Sequence, residues 1–206
     1  MKQPLVALTL TLALASCAGW NGTTASGGSN RYLAAYGPTR PKERAATDPG
    51  AALPDDMSYW SGDGVEGSPL IRINLAQQKA FFYKGDTLVG VSRISTGKEG
   101  DDTPPGRYKV TERDQDHRSN LYGIFRDKTT GQTVDDDADM TKEKTPPGCE
   151  FVGAPMWNFL RFNGGIGMHT GYLPGYNASH GCVRMPDEMA RKFFDNAPLG
   201  TPVIVE

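Results

Sequence analysis

Between Ser68 and the C-terminus, apolar and polar residues alternate in short runs broken by turn residues. Leu70-Ile71-Arg72-Ile73-Asn74-Leu75 alternates with period two, Lys79 to Tyr83 follows after a short turn, and Leu88 to Ile94 resumes beyond Gly85-Asp86. Period-two runs separated by Gly, Asn and Asp predict a β-meander. Further strands are expected at Gly106–Thr111, Leu121–Phe125, Met156–Phe162, Ile166–Thr170 and Pro202–Val205. One stretch reads as a helix, beginning at Pro186 and running from Asp187 to Phe194 with acids in its first turn and bases after them. Proline suits a helix start and early acids suit the helix dipole. The expected fold is mostly β with one or two short helices.

The pattern ahead of Ser68 is of another kind. Lys2 precedes the apolar run Leu5–Ala15, which closes on Leu14-Ala15-Ser16-Cys17. Such a run is too short to span a bilayer and reads as a secretory signal. A cysteine directly after small residues is similar to a bacterial lipobox, which implies removal of residues 1–16 and lipidation of Cys17. The mature chain would then be held at a membrane without crossing it. By resemblance to lipoproteins of two-membrane bacteria, Ala18 in place of Asp implies the outer membrane rather than the inner. Residues 17–67 are rich in Gly, Ser, Thr, Ala and Pro and show no sustained periodicity, so they read as a flexible tether. A chain of that length reaches roughly 40 Å from its anchor. The organisation expected is a signal peptide over 1–16, a lipidated tether over 17–67 and one domain over 68–206, on the periplasmic side of the cell envelope.

Within that domain, the polar segment between Asp127 and Glu150 carries Asp135-Asp136-Asp137-Ala138-Asp139. Its spacing does not fit an EF-hand, so the acids read as a solvated loop. An insertion of this length suggests a lid or binding loop.

Composition narrows the function. The 22 Lys and Arg against 24 Asp and Glu, net charge -2, provide no basic face for nucleic acid. Three cysteines exclude a disulfide scaffold. Reactive side chains concentrate between His169 and Arg184, a segment that holds two of the three histidines together with Cys182. A histidine near a cysteine can remove the thiol proton and create a nucleophile. Gly181 lets a carbonyl approach and leaves adjacent N–H groups to face an oxyanion, while Arg184 can grip a carboxylate. Two structural alternatives remain open at this point: a buried or Cys149-paired Cys182, and a zinc site of His169, His180, Cys182 and Cys149. No Cys-x-x-Cys or His-Glu-x-x-His spacing supports the metal. His180 and Cys182 would share a face if they lay on a strand, so spacing does not choose between the histidines.

Ser179-His180-Gly181-Cys182-Val183-Arg184-Met185, with Met168-His169 upstream, resembles the signature of the YkuD-type L,D-transpeptidase catalytic domain. Ser95-Thr96-Gly97, Thr103-Pro104-Pro105-Gly106-Arg107-Tyr108 and Gly200-Thr201-Pro202-Val203-Ile204-Val205 match in the same order. The resemblance covers about residues 68–206. It implies a β-sandwich-like fold in which Cys182 attacks a peptidoglycan stem-peptide carbonyl, D-Ala leaves, and a thioester forms without metal or cofactor. An amine of another stem peptide, or of an envelope protein, then resolves the thioester. The resemblance assigns His169 as base, oriented by the Thr170 carbonyl. It places the backbone of His180 and Gly181 near the oxyanion hole and Arg184 where it positions Cys182 or binds substrate. If water resolves the thioester, the same residues give an L,D-carboxypeptidase or endopeptidase. The remaining alternative is a non-catalytic murein-binding lipoprotein. His169 is followed by Thr170-Gly171, and only ten residues separate it from His180, which implies a compact loop between them.

Overall fold

The computed structural model describes residues 58–206. In chain order the elements are β1 (Tyr59–Trp60), β2 (Pro69–Asn74), β3 (Lys79–Lys84), β4 (Thr87–Arg93), β5 (Gly106–Lys109), β6 (Glu112–Asp114), β7 (Arg118–Asp127), β8 (Thr133–Asp139), β9 (Cys149–Pro155), β10 (Phe159–Asn163), β11 (Ile166–Thr170), β12 (Val183–Met185), α1 (Asp187–Asn196) and β13 (Pro202–Val205). The chain adopts the expected mostly β fold, with one helix among the described residues.

Three sheets form. A six-stranded sheet has the order β1-β4-β3-β2-β13-β5, a four-stranded sheet β12-β11-β10-β6, and a three-stranded sheet β8-β7-β9. The alternation read along β2 becomes burial on one face. Ile71 and Ile73 are fully buried, whereas Arg72 turns outward to bond Glu206 at 2.8 Å. The C-terminal strand β13 inserts beside β2 in parallel and pairs on its other edge with β5.

Helix α1 packs on β1, β10 and β11, burying Met189, Ala190 and Phe193. Phe193 meets Phe82 edge-on at 5.1 Å, so helix and first sheet share an aromatic contact that adds about 1 kcal/mol to its area burial. The main core continues through Val89, Val110, Leu160, Met168 and Met185, joining the six- and four-stranded sheets. The three-stranded sheet has a small separate core of Phe125, Ala138 and Cys149.

Several expectations change. Packed structure is present ahead of Ser68, because β1 pairs with β4 and Trp60 packs against Phe82 at 5.2 Å and Phe193 at 6.2 Å. A two-residue strand has no periodicity to read, so only the docking of its indole reveals it. The acidic run is strand rather than loop: Asp135 to Asp139 lie on β8, which pairs with β7 and buries Ala138. Because β8 is an edge strand, its carboxylates can project into water while its backbone is paired on one side, and charged edges resist further strand addition. Met156–Phe162 divides at Asn158, whose φ of +57° separates β9 from β10. Pro186 caps α1 from outside, with ψ of 145°. Residues 1–57, including the signal reading, Cys17 and most of the tether reading, lie outside the described residues.

Candidate active site

The segment with the reactive residues is a loop entering a strand. Cys182 stands directly before β12, which pairs in parallel with β11 so that His169 lies opposite Arg184 and Met168 opposite Val183. Parallel pairing of two short buried strands therefore delivers the histidine and the cysteine to one end of the sheet. Both line a cavity of about 460 Å³.

The loop before Cys182 is fixed by the other sequence motifs. Ser95 and Arg184 exchange backbone hydrogen bonds at 2.9 and 3.0 Å, the N–H groups of Ala178 and Ser179 donate to the Thr96 carbonyl, and Lys98 N–H donates to Ser179 O. Thr103 Oγ donates to the Gly181 carbonyl at 2.7 Å while accepting from Gly97 N–H at 2.9 Å. Ser179 Oγ donates to the Cys182 carbonyl and accepts from Gly181 N–H at 3.1 Å. Gly181 has φ of +100°, a region that L side chains rarely adopt, so glycine is required to turn the chain into the cysteine. Its N–H is occupied by Ser179, which leaves neighbouring amides to meet any oxyanion.

The two histidines differ in environment. His169 is 2 % exposed, and its Nδ1 lies 2.8 Å from the Thr170 carbonyl. A carbonyl only accepts, so Nδ1 carries the proton and Nε2 is the basic nitrogen. Burial pushes its pKa down to about 3, with the charges of Arg184 and His117 acting in the same direction, so the ring is neutral at pH 7. Thr170 is held in turn: its Oγ accepts from Asn158 Nδ2 at 3.1 Å and donates to Asp187 Oδ1 at 3.0 Å. His180 instead stacks on Tyr122, with ring centroids 4.3 Å apart, and its Nε2 lies 3.3 Å from Lys98 Nζ. An ammonium only donates, so that nitrogen is already an acceptor.

Burial pushes the Cys182 thiol up, opposed by the Gly167 N–H and by the charges of Arg161 and Arg184. The resting pair is thus neutral thiol and neutral imidazole. Arg184, 9 % exposed, lines the cavity with its aliphatic stem against Gly171. Cys149 is elsewhere, buried in the three-stranded sheet's core, and neither Cys149 nor Cys182 is in a disulfide. The proposed pairing of these two cysteines and the four-residue zinc set are therefore not assembled: β9 carries Cys149 into a different core from β12.

The family model of the YkuD L,D-transpeptidase catalytic domain matches residues 68–205. The chain belongs to this family. Among solved structures, the L,D-transpeptidase of Xylanimonas cellulosilytica has a TM-score of 0.50 at 22 % identity, covering 69 % of this chain and 62 % of that one. An L,D-transpeptidase from Mycobacterium smegmatis has a TM-score of 0.51 at 18 % identity, covering 68 % and 59 %. At these identities the likeness is one of fold, and it spans less than two thirds of either relative. No curated protein sequence matches the chain.

The L,D-transpeptidase domain also brings residues to the cavity that sequence reading passed over. β7 supplies Arg118 to Gly123 as one wall, and Asp137 of β8 reaches the same cavity. The Asp127–Glu150 insertion, expected as a lid or binding loop, forms β8 and the start of β9 in the sheet that carries this wall. Arg161 lines the cavity too, bound to Glu112 Oε2 at 2.7 Å and to the Gly164 carbonyl at 3.1 Å, with its guanidinium over Phe159. His117 is the third histidine, with Nδ1 3.0 Å from Asp114 Oδ2. Atoms of Glu112, Asp114 and His117 lie within 4.8 Å of one another, but Arg161 and the His117–Asp114 contact already occupy them. Nothing local marks His117 or Arg161: His117 lies in the polar turn between β6 and β7, and Arg161 is an ordinary outward position among apolar residues of β10. Only the isolation of a third histidine could have flagged the first.

Proposed function

We propose that the chain is an L,D-transpeptidase of peptidoglycan in which Cys182 is the nucleophile and His169 the general base. The observation that carries this reading is a cavity shared by Cys182 and a buried imidazole whose tautomer is set by the Thr170 carbonyl. As Sγ attacks the carbonyl between the L-centre of a stem-peptide diamino acid and D-Ala, His169 Nε2 takes the thiol proton. It then returns that proton to the departing D-Ala nitrogen, leaving a thioester. The Cys182 N–H, next along from the occupied Gly181 N–H, is the amide suited to the oxyanion. Arg161 and Arg184 stabilise developing negative charge on sulfur, and Arg184 can hold a substrate carboxylate. The Tyr122–His180 stack joins the three-stranded sheet to the catalytic loop. An amine of a second stem peptide, or of an envelope protein, resolves the thioester as a cross-link or attachment. Lipidation at Cys17 would place this chemistry on the periplasmic side of the envelope, at the outer membrane.

Incubating the protein with a disaccharide-tetrapeptide and weighing the products tests the reading. D-Ala release together with a dimer supports transfer, whereas D-Ala release without a dimer replaces transfer by hydrolysis. No product, together with no carbapenem adduct on Cys182, overturns the enzyme assignment. A globomycin-sensitive mass increase on the mature N-terminus tests the lipid anchor.

A further inference from the structure

The amine that resolves a thioester enters as an ammonium, because its ordinary pKa is about 10.4. To become an amide nitrogen it must lose two protons. One returns to Cys182 sulfur as the carbon–sulfur bond breaks, and a single imidazole, His169, can carry it from nitrogen to sulfur. The other must leave before attack, since an ammonium has no lone pair, and it needs a separate acceptor with a route to solvent. His169 is poorly suited to hold both, being buried where its cation is disfavoured.

A second imidazole lies in the same cavity. His117 lines it with Cys182 and His169. Its ring lies flat on Phe159, centroids 4.1 Å apart and planes 10° from parallel, and Phe159 also packs against His169 at 6.4 Å. The His117 carbonyl accepts from Met156 N–H at 2.8 Å, which holds the backbone at the head of β7. Asp114 Oδ2 is 3.0 Å from His117 Nδ1. A carboxylate accepts, so Nδ1 carries hydrogen and Nε2 is the basic nitrogen, with a carboxylate placed to stabilise the imidazolium. The His117 side chain is 19 % exposed and Asp114 is 44 % exposed, which gives the pair the contact with water that His169 lacks.

We propose that His117, oriented by Asp114, is the base that takes the first proton from the acceptor ammonium. This rests on the thioester reading above and deepens it. The ammonium passes one proton to His117 Nε2 and becomes a neutral amine. The amine attacks the thioester carbon, the carbon–sulfur pair departs on Sγ, and the remaining surplus proton moves through His169 Nε2 to sulfur. His117 then releases its proton to solvent, so charge and protons balance with no further reactant. His169 serves sulfur and His117 serves the acceptor.

The test separates the half-reactions in the full chain. Acyl-enzyme formation on Cys182 from the tetrapeptide is followed by mass, and its resolution is timed with two probes, Nα-acetyl-lysine amide and hydroxylamine, the latter largely neutral at pH 7. His117→Gln is expected to acylate at the parental rate, to lose about 100-fold in aminolysis by the lysine probe, and to react with hydroxylamine as the parent does. Asp114→Asn, which keeps the ring stack, is expected to show the same pattern at about 10-fold. Equal slowing with both probes, slowed acylation, or no change with the lysine probe overturns the proposal. Absence of any acyl-enzyme on the parent overturns the thioester reading itself, a distinct outcome.

Discussion

The large two-sheet body and the three-stranded sheet β8-β7-β9 both contribute walls to one cavity, yet they are built on different scales. The body buries a continuous core running from Ile71 on β2 through Leu160 on β10 to Phe193 on α1. The smaller sheet rests on Phe125, Ala138 and Cys149, with Met140 and Phe151 partly covering them, and its pairing is interrupted by register shifts in β7. Cys182 and His169 are carried by the body, and Tyr122 and the Arg118–Gly123 wall by the smaller sheet. The candidate thiol and imidazole thus sit where burial resists displacement, and the opposite wall of the cavity sits where little apolar area holds it. The difference teaches that position and access in this site are controlled by separate cores.

Cys182→Ala should break the comparison most sharply on the body's side. Transfer is expected to fall about 10⁴-fold or more, measured as D-Ala release, while the unfolding midpoint stays within a few degrees of the parent. Retained activity would remove the nucleophile from the body altogether. Next in size, Phe193→Ala should cost about 3–5 kcal/mol in denaturant unfolding, because α1 and Phe82 lose their shared contact and leave a cavity. Phe125→Ala is expected to act differently: hydrogen exchange should accelerate in β7, β8 and β9 with amides of β2, β3 and β13 unchanged. Acceleration throughout the chain would show one cooperative unit.

Acid stability distinguishes the regions by pH window as well as place. The folded pKa of His169 lies near 3, below its ordinary 6.5, so between those values the unfolded chain binds a proton that the folded chain does not. Its contribution to stability is present above about pH 6.5 and is lost as pH falls toward 3. His169→Gln should flatten the decline in unfolding free energy across that window. Asp139, lowered to about 2 chiefly by its hydrogen bond to Lys142, shifts stability in the same direction only at more acid pH. An unchanged slope in the His169 variant would mean that burial of this ring does not govern the acid limb. The smallest effect is expected from Tyr122→Ala, which removes the stack on His180. About 1 kcal/mol of docking should appear as a roughly five-fold rise in KM for the tetrapeptide with thermal stability nearly intact.

The strands of the body were legible because their burial is local in pattern. Ile71 and Ile73 alternate with outward residues, and β11 and β13 fall where the alternation predicts them. The candidate site segment was legible because rare side chains cluster within it, and the Ser95–Gly97 and Thr103 motifs now have a physical purpose as the frame of its loop. β8 was not legible. Its residues are poor strand formers that pair only because β7 lies beside them, and no window of sequence contains that neighbour. Trp60 was hidden in the same way, inside a segment whose composition reads as tether.

By itself, the sequence determined the mostly β fold and the family, and it marked Cys182 with a histidine partner as the candidate chemistry. Tertiary structure decided which histidine is buried against a carbonyl and which is stacked beneath Tyr122, because they stand 13 and 2 positions before the thiol and only parallel pairing of β11 with β12 separates their surroundings. It also brought His117 and Arg161 to the cavity from 65 and 21 positions before Cys182. Proximity along a chain is written in sequence, whereas proximity across sheets depends on register and on the packing of two unequal cores.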